Sequence, residues 1–316
     1  MANEFTYRAD HIGILITPAT LSDARKRYAR GVIDSEQLRE AENIAVKSAV
    51  DMQRSVGLSV TTDGGFRRVD DAAVELDGST LAESEAAPLR SLSRRPIKVA
   101  VPTARPEEGV PFDRALARAG IVRKEIEALI AAGVDYVQLD APDYITLFDG
   151  GHGGGASGGQ PNRTLEELVQ LDTTALSGIN RPNNVRIAIH FVRPNNAILR
   201  QSPSGRGAAE RLFEALPVDR FILPMDSASK DFDLLRTIPK GKVAVLGLVS
   251  ARKSALESVD ELMSWIDHAA KLIDGTDLAL SPATGFIAGD EMSEADQVRK
   301  LELVAEVATR WWGFEM

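Results

Sequence analysis

Short apolar runs rich in β-branched residues alternate along the chain with longer stretches whose apolar positions recur every three or four residues. Eight such runs occupy 12–16, 58–62, 97–101, 136–139, 185–189, 221–223, 243–248 and 278–280. Hydrophobicity that is continuous rather than alternating, in runs this short, predicts strands buried on both faces. Helical spacing fills the gaps. Residues 35–55 carry Leu38, Ala41, Ala45, Ala49 and Met52 on one face, and 113–131 carry Leu116, Ala119, Ile126, Leu129 and Ile130 before Gly133 ends the pattern. Residues 164–176 open with Thr164 and Glu167 at capping-box spacing. Residues 207–216, 258–273 and 293–312 show the same periodicity.

Eight strands alternating with helices predict an α/β fold, a (β/α)8 TIM barrel in a single domain over 1–316. A doubly wound sheet is the alternative, and the absence of Gly-x-Gly-x-x-Gly after the first run weakens it. Two stretches exceed a minimal barrel and read as long βα-loop insertions: 68–95, and the DGGHGGGASGGQ segment at 149–160, whose glycines suggest a lid. The Trp311–Trp312 pair is expected to seal the barrel base, with a subunit contact as the alternative.

Composition narrows the function. The formal net charge of −9 argues against a nucleic-acid partner. No apolar run reaches the roughly 18 residues of a membrane span, and the first ten residues do not resemble a signal peptide, so a cytoplasmic protein is expected. The chain has no cysteine, which excludes disulfides, thiolate nucleophiles and cysteine-ligated metals.

In a barrel the chemistry lies where strands end. Those positions hold Asp63, Arg67 and Arg68 after the second run, Asp140 and Tyr144 after the fourth, His190, Arg193 and Asn195 after the fifth, and Asp226 after the sixth. A carboxylate beside an imidazole can move protons, and arginine can hold a carboxylate or phosphate in a fork. The expected catalytic residues are Asp140, His190 and Asp226. Asp63, Arg67, Arg68, Tyr144, Arg193 and Asn195 are the expected substrate contacts, with His152 reaching in from the lid. Each also has a plainer role open to it: Asp63 as a turn cap, Asp140 as an ion-pair partner, His190 as a buried core histidine, Arg193 as an anchor of the rim. His11 precedes the first run and is expected to face the barrel bottom.

Several of these stretches resemble the catalytic domain of cobalamin-independent methionine synthase: VGLSVTTDGGFRR at 56–68, YVQLDAPDY at 136–144, PVDRFILPMDSAS at 217–229, PKGKVAVLGLVSARKSALESVDEL at 239–262 and DLALSPATGF at 277–286. The resemblance implies a (β/α)8 barrel that transfers a methyl group from a folate to a zinc-bound thiol. It also implies zinc ligands at four positions, which here are His190, Val192, Pro224 and Thr284. Only the histidine remains. Positions that hold the amino acid in that family read Ile14, Thr17, Gly65 and Ala141.

The expectation is therefore an enzyme with no metal and no predicted cofactor, zinc being disfavoured and tetrahydrofolate unsupported, since 99–103 carries no pterin-stacking aromatic, although Tyr144 and Phe191 could substitute. Its substrate would be a small anion, worked on by methyl or alkyl transfer or by cofactor-free bond cleavage. The alternatives are a folate-dependent homocysteine methyltransferase and a non-catalytic ligand-binding descendant. A homo-oligomer is compatible with the sequence.

Overall fold

In a computed structural model the described residues are 7–68, 76–104, 111–142, 144, 165–192, 205–225, 232–289 and 291–313. Six strands run in one parallel sheet in chain order: β1 Lys98–Pro102, β2 Tyr136–Asp140, β3 Arg186–His190, β4 Arg220–Pro224, β5 Val243–Val249 and β6 Leu278–Pro282. Two irregular segments close the ring. Ala9 bridges Leu280 of β6 in parallel, with Leu280 N donating to Arg8 O at 2.9 Å and Asp10 N to Leu280 O at 2.9 Å. Ser59 N donates to Ala9 O at 3.1 Å, and Thr61 bridges Ile97 beside β1. Eight parallel segments thus form a closed α/β barrel.

The first segment departs from the sequence expectation. Residues 12–16 form no strand; the ladder contact is made by 8–10. Ile12 turns into the barrel interior while Leu15 and Ile16 pack outside, so the apolar run crosses from one core to the other. The stretch 68–95 also holds more structure than a loop. A π-helical turn, Ala82–Ala86, leads into the helix Ala87–Leu92, with Leu81, Ala82, Ala86 and Leu89 buried.

The helices are α1 Ala19–Ala29, α2 Ser35–Val56, α3 Ala87–Leu92, α4 Phe112–Ala131, α5 Leu165–Leu176, α6 Gly205–Ala215, α7 Val259–Ala269 and α8 Glu294–Trp312. Their ends follow capping chemistry. Asp34 and Gln37 form a capping box at α2, Ser293 and Asp296 another at α8, and Gly57 ends α2 at φ 88°. The rows between strands explain the continuous apolar runs. Val99, Val101, Val137, Leu139, Ile187, Ile189, Phe221, Leu223, Ala244 and Leu246 face the helices in one core, while Tyr136, Ala188, Ile222, Val243, Val245 and Ala279 face inward in a second. Strand alternation sends every other residue to the interior.

The interior also holds a buried charge cluster. Lys98 Nζ donates to Asp10 Oδ1 at 2.9 Å and to His11 O at 2.6 Å. Tyr136 Oη donates to Asp10 Oδ2 at 2.9 Å, and Arg220 reaches Tyr136 Oη and Tyr7 O at 3.2 and 3.1 Å. Burial works against ionising Asp10, but the charges of Lys98 and Arg220 outweigh it and hold its carboxyl below the usual range. At the barrel base Arg8 lies over the Trp312 ring, 5.5 Å from its centre, and Trp312 Nε1 donates to Gly275 O at 3.0 Å. Among the described residues no helix is long and apolar enough to cross a membrane.

Candidate active site

Asp140 and His190 are the last residues of neighbouring strands and stand in register. Period-two alternation places both on the same inward row as Gln138 and Ala188. His190 Nδ1 lies 2.9 Å from Asp140 Oδ1, and Gln138 Nε2 donates to the same oxygen at 2.8 Å. Gln138 is itself fixed by a second bond from Nε2 to Ile12 O at 3.1 Å. Burial alone would raise the Asp140 pKa. The hydrogen bond from His190, its charge, the Gln138 bond and the Arg68 charge together overcome this and lower it. An ionised carboxylate can only accept, so Nδ1 carries the proton in this pair. The other ring nitrogen, Nε2, is buried with no hydrogen-bond partner among the described residues.

A second group of side chains adjoins the first. Asp63 Oδ1 accepts from Gly65 N at 2.8 Å, and Oδ2 is buried with no partner among the described residues. The turn that does this needs positive φ at Gly64 and Gly65, 78° and 74°. Arg68 grips Glu85 in a fork, Nε to Oε1 at 2.7 Å and Nη2 to Oε2 at 2.8 Å, and Nη2 also donates to Ala100 O at 2.5 Å. Burial and the neighbouring Glu85 charge push the Asp63 carboxyl up to about 7, against the opposing pull of Arg68, the Gly65 amide and Arg67. Asp63, Arg68, Glu85 and Lys98 line one solvent-open cleft, whose remaining wall includes Ile14, Thr62 and Ala100. Arg68 also acts electrostatically on Asp140, so the two groups share one field.

The structure separates the predicted residues. It brings Asp63, Arg68, Asp140 and His190 together at the barrel mouth. Arg67 goes elsewhere: its guanidinium donates to Asn43 Oδ1 at 2.8 Å and pairs with Glu42 at 3.7 Å, both on α2. An adjacent pair of arginines in a turn points two ways, and only one faces the cleft. Tyr144 is buried; its hydroxyl donates to Asp172 Oδ2 at 2.7 Å and its ring meets Phe191 edge-on. His152, Arg193, Asn195 and Asp226 lie outside the described residues.

His11, expected at the barrel bottom, is buried in the interior, with Nε2 3.2 Å from Val60 O; burial and the Lys98 charge depress its pKa to about 4. Sequence reasoning missed Gln138, Glu85 and Lys98. Gln138 sits two residues before Asp140 in a strand, which was a readable sign of a shared face; Glu85 carries no such sign.

Of the positions aligned with zinc ligands, Pro224 is buried in β4 and Thr284 Oγ1 donates to Gly285 O at 3.2 Å. Among the described residues no three His, Cys, Asp or Glu side chains converge as a metal site would require.

No family model matches the chain. Two proteins of Bacillus subtilis (strain 168) align over 97% of it and 95% of their own length: the uncharacterized proteins YxjH, at 28% identity, and YxjG, at 27%. A putative vitamin-B12-independent methionine synthase from Listeria monocytogenes superposes with a TM-score of 0.78 at 26% identity, covering 97% of this chain and 98% of its own. The chain is similar to B12-independent methionine-synthase-like proteins. A B12-independent methionine synthase from Shewanella sp. W3-18-1, in complex with selenomethionine, shares the fold with a TM-score of 0.72 at 18% identity, over 96% of this chain and 97% of that one. The methionine-synthase-like likeness therefore spans nearly the full length of the chain.

Proposed function

We propose that this methionine-synthase-like barrel is an enzyme that acts, without zinc, on a small anionic substrate by methyl or alkyl transfer or by cofactor-free bond cleavage. The observation that carries this reading is the His190–Asp140 pair, 2.9 Å apart, with the imidazole Nε2 buried and unpartnered among the described residues. A carboxylate on Nδ1 fixes the tautomer that leaves Nε2 as a proton acceptor, and it stabilises the imidazolium once the proton has moved. The same pairing would orient an imidazole toward a metal. What does not fit is the rest of the donor set: a catalytic zinc keeps three protein ligands, whereas Val192, Pro224 and Thr284 supply no thiolate or carboxylate. No step is therefore routed through zinc. Arg68 supplies positive charge at the mouth, and Arg193, Asn195 and Asp226 follow β3 and β4 in the sequence as further candidates for holding or protonating the substrate.

The test combines elemental analysis of the purified protein with thermal-shift measurements against homocysteine, a methylated folate and small carboxylic acids. The expected result is sub-stoichiometric zinc and stabilisation by a carboxylic acid, lost in Asp140→Asn and His190→Gln. Stoichiometric zinc together with stabilisation by homocysteine would overturn the reading in favour of a folate-dependent methyltransferase.

A further inference from the structure

The proposed function needs a place for an anion, and the cleft beside the His190–Asp140 pair has unusual chemistry for that task. Two of its polar groups are uncommitted. Asp63 is only 5% exposed, its Oδ1 is satisfied by the Gly65 amide, and its Oδ2 has no partner among the described residues. Arg68 spends Nε and Nη2 on Glu85 and Ala100, which leaves Nη1 without a bond among the described residues. Both side chains line the same solvent-open cleft, and so does Ile14, a half-exposed apolar side chain.

We propose that Asp63, as the neutral acid, donates from Oδ2 to a ligand carboxylate whose second oxygen is held by Arg68 Nη1, with the apolar body of the ligand against Ile14. The site thus takes short monocarboxylates and takes them only with a proton on Asp63. This deepens the anionic-substrate reading of the proposed function and rests on it for biological meaning, though not for its geometry. A buried hydroxyl of a carboxylic acid beside a carboxylate makes a short charge-assisted bond, while two carboxylates at that distance repel. The charged groups facing Asp63 set its protonation. Glu85 from the π-helical turn raises its proton affinity, Arg68 and Arg67 from its own turn lower it, and Lys98 from β1 and Asp140 from β2 stand behind them. Their balance, with burial, leaves the acid form populated near neutrality.

The test measures butyrate affinity by NMR titration of the full-length protein from about pH 6 to about pH 9, where butyrate is fully ionised. Affinity is expected to be level below the Asp63 midpoint and to weaken about tenfold per pH unit above it. Asp63→Asn keeps a donor at the Oδ2 position and cannot ionise, so it should bind butyrate with little pH dependence. Asp63→Leu should lose binding, and butyramide should not bind the wild type. Carboxyl 13C NMR of Asp63 adds a readout that needs no variant: saturating butyrate should raise its midpoint. Affinity that is flat across the range in the wild type would overturn the proposal, as would a pH dependence that survives in Asp63→Asn. These outcomes are distinct from those of the zinc and homocysteine measurements, which report on His190 and its companions.

Discussion

Asp63→Asn is the sharpest probe of the electrostatics at the barrel mouth, because it changes stability in a way that depends on pH. The Asp63 carboxyl rises from 3.8 to about 7 on folding, chiefly through burial and then through Glu85. A raised acid contributes stability that is complete below its unfolded value and is lost as pH climbs through the folded one. The loss runs from about pH 4 to about pH 7 at roughly 1.4 kcal/mol per unit and totals on the order of 4 kcal/mol.

His11 acts in the opposite sense over part of that window. Its pKa falls from 6.5 to about 4, so the folded state resists its protonation and loses stability on acidification between those values. In the wild type the two slopes oppose each other between about pH 4 and about pH 6.5, and the net curve is flattened. Asp63→Asn removes one of them. Urea denaturation at half-unit steps from about pH 4.5 to about pH 8.5 should show the variant gaining on the wild type steadily up to neutrality and then holding a constant lead. The Asn side chain keeps the bond from the Gly65 amide and leaves the same atom position unpartnered, so these terms cancel when one pH is compared with another. A difference between variant and wild type that is the same at about pH 4.5 and about pH 8 would refute the raised Asp63 and the cleft electrostatics built on it.

Three further outcomes follow from the packing. Gly247→Ala should cost about 1–3 kcal/mol in urea denaturation, because a Cβ there would lie 2.7 Å from Leu223 O and 2.8 Å from Ala283 Cα, backbone atoms that cannot swing aside. Lys98→Met should cost about 3–5 kcal/mol by the same measurement, since it strips the fully buried Asp10 of its nearest cation. Gln138→Leu should raise the Asp140 midpoint in carboxyl 13C NMR, because one of the hydrogen bonds that lowers it is gone, while the barrel itself stays folded by circular dichroism.

The six regular strands were legible in the sequence because a strand buried on both faces must be apolar at every position, whichever way its side chains point; of the helices, α1 and α3 were not read from it. The first ring segment was not. Residues 8–10 read Arg-Ala-Asp, a polar triplet that looks like a surface loop. They can be buried only because Lys98 and Arg220, 88 and 210 residues away from Asp10, arrive to pair with it. No local pattern encodes that meeting. The same limit applied at the site. Asp140 and His190 could be read as strand ends, but the split between Arg67 and Arg68 depended on Asn43 and Glu42 on one side and Glu85 on the other. Glu85 lies in a stretch that reads as a plain insertion, and a π-helical turn that buries a carboxylate for an arginine leaves no periodic trace.

The buried cluster beneath the mouth also bears on what can enter. Lys98 and Arg220 outnumber Asp10 by one positive charge, and Lys98 feels Asp140 as well as Asp10. At the mouth Arg68 is outnumbered by Asp140 and Glu85, so the two tiers nearly cancel while Asp63 is neutral. Ionising Asp63 tips the balance negative in a region of low dielectric, where a unit charge at contact distance is worth several times its value in water. An anion would then meet repulsion from the same residue that, as a neutral acid, offers it a hydrogen bond. The proton on Asp63 therefore decides both the sign of the field and the supply of a donor, and the two effects reinforce each other in one direction of pH.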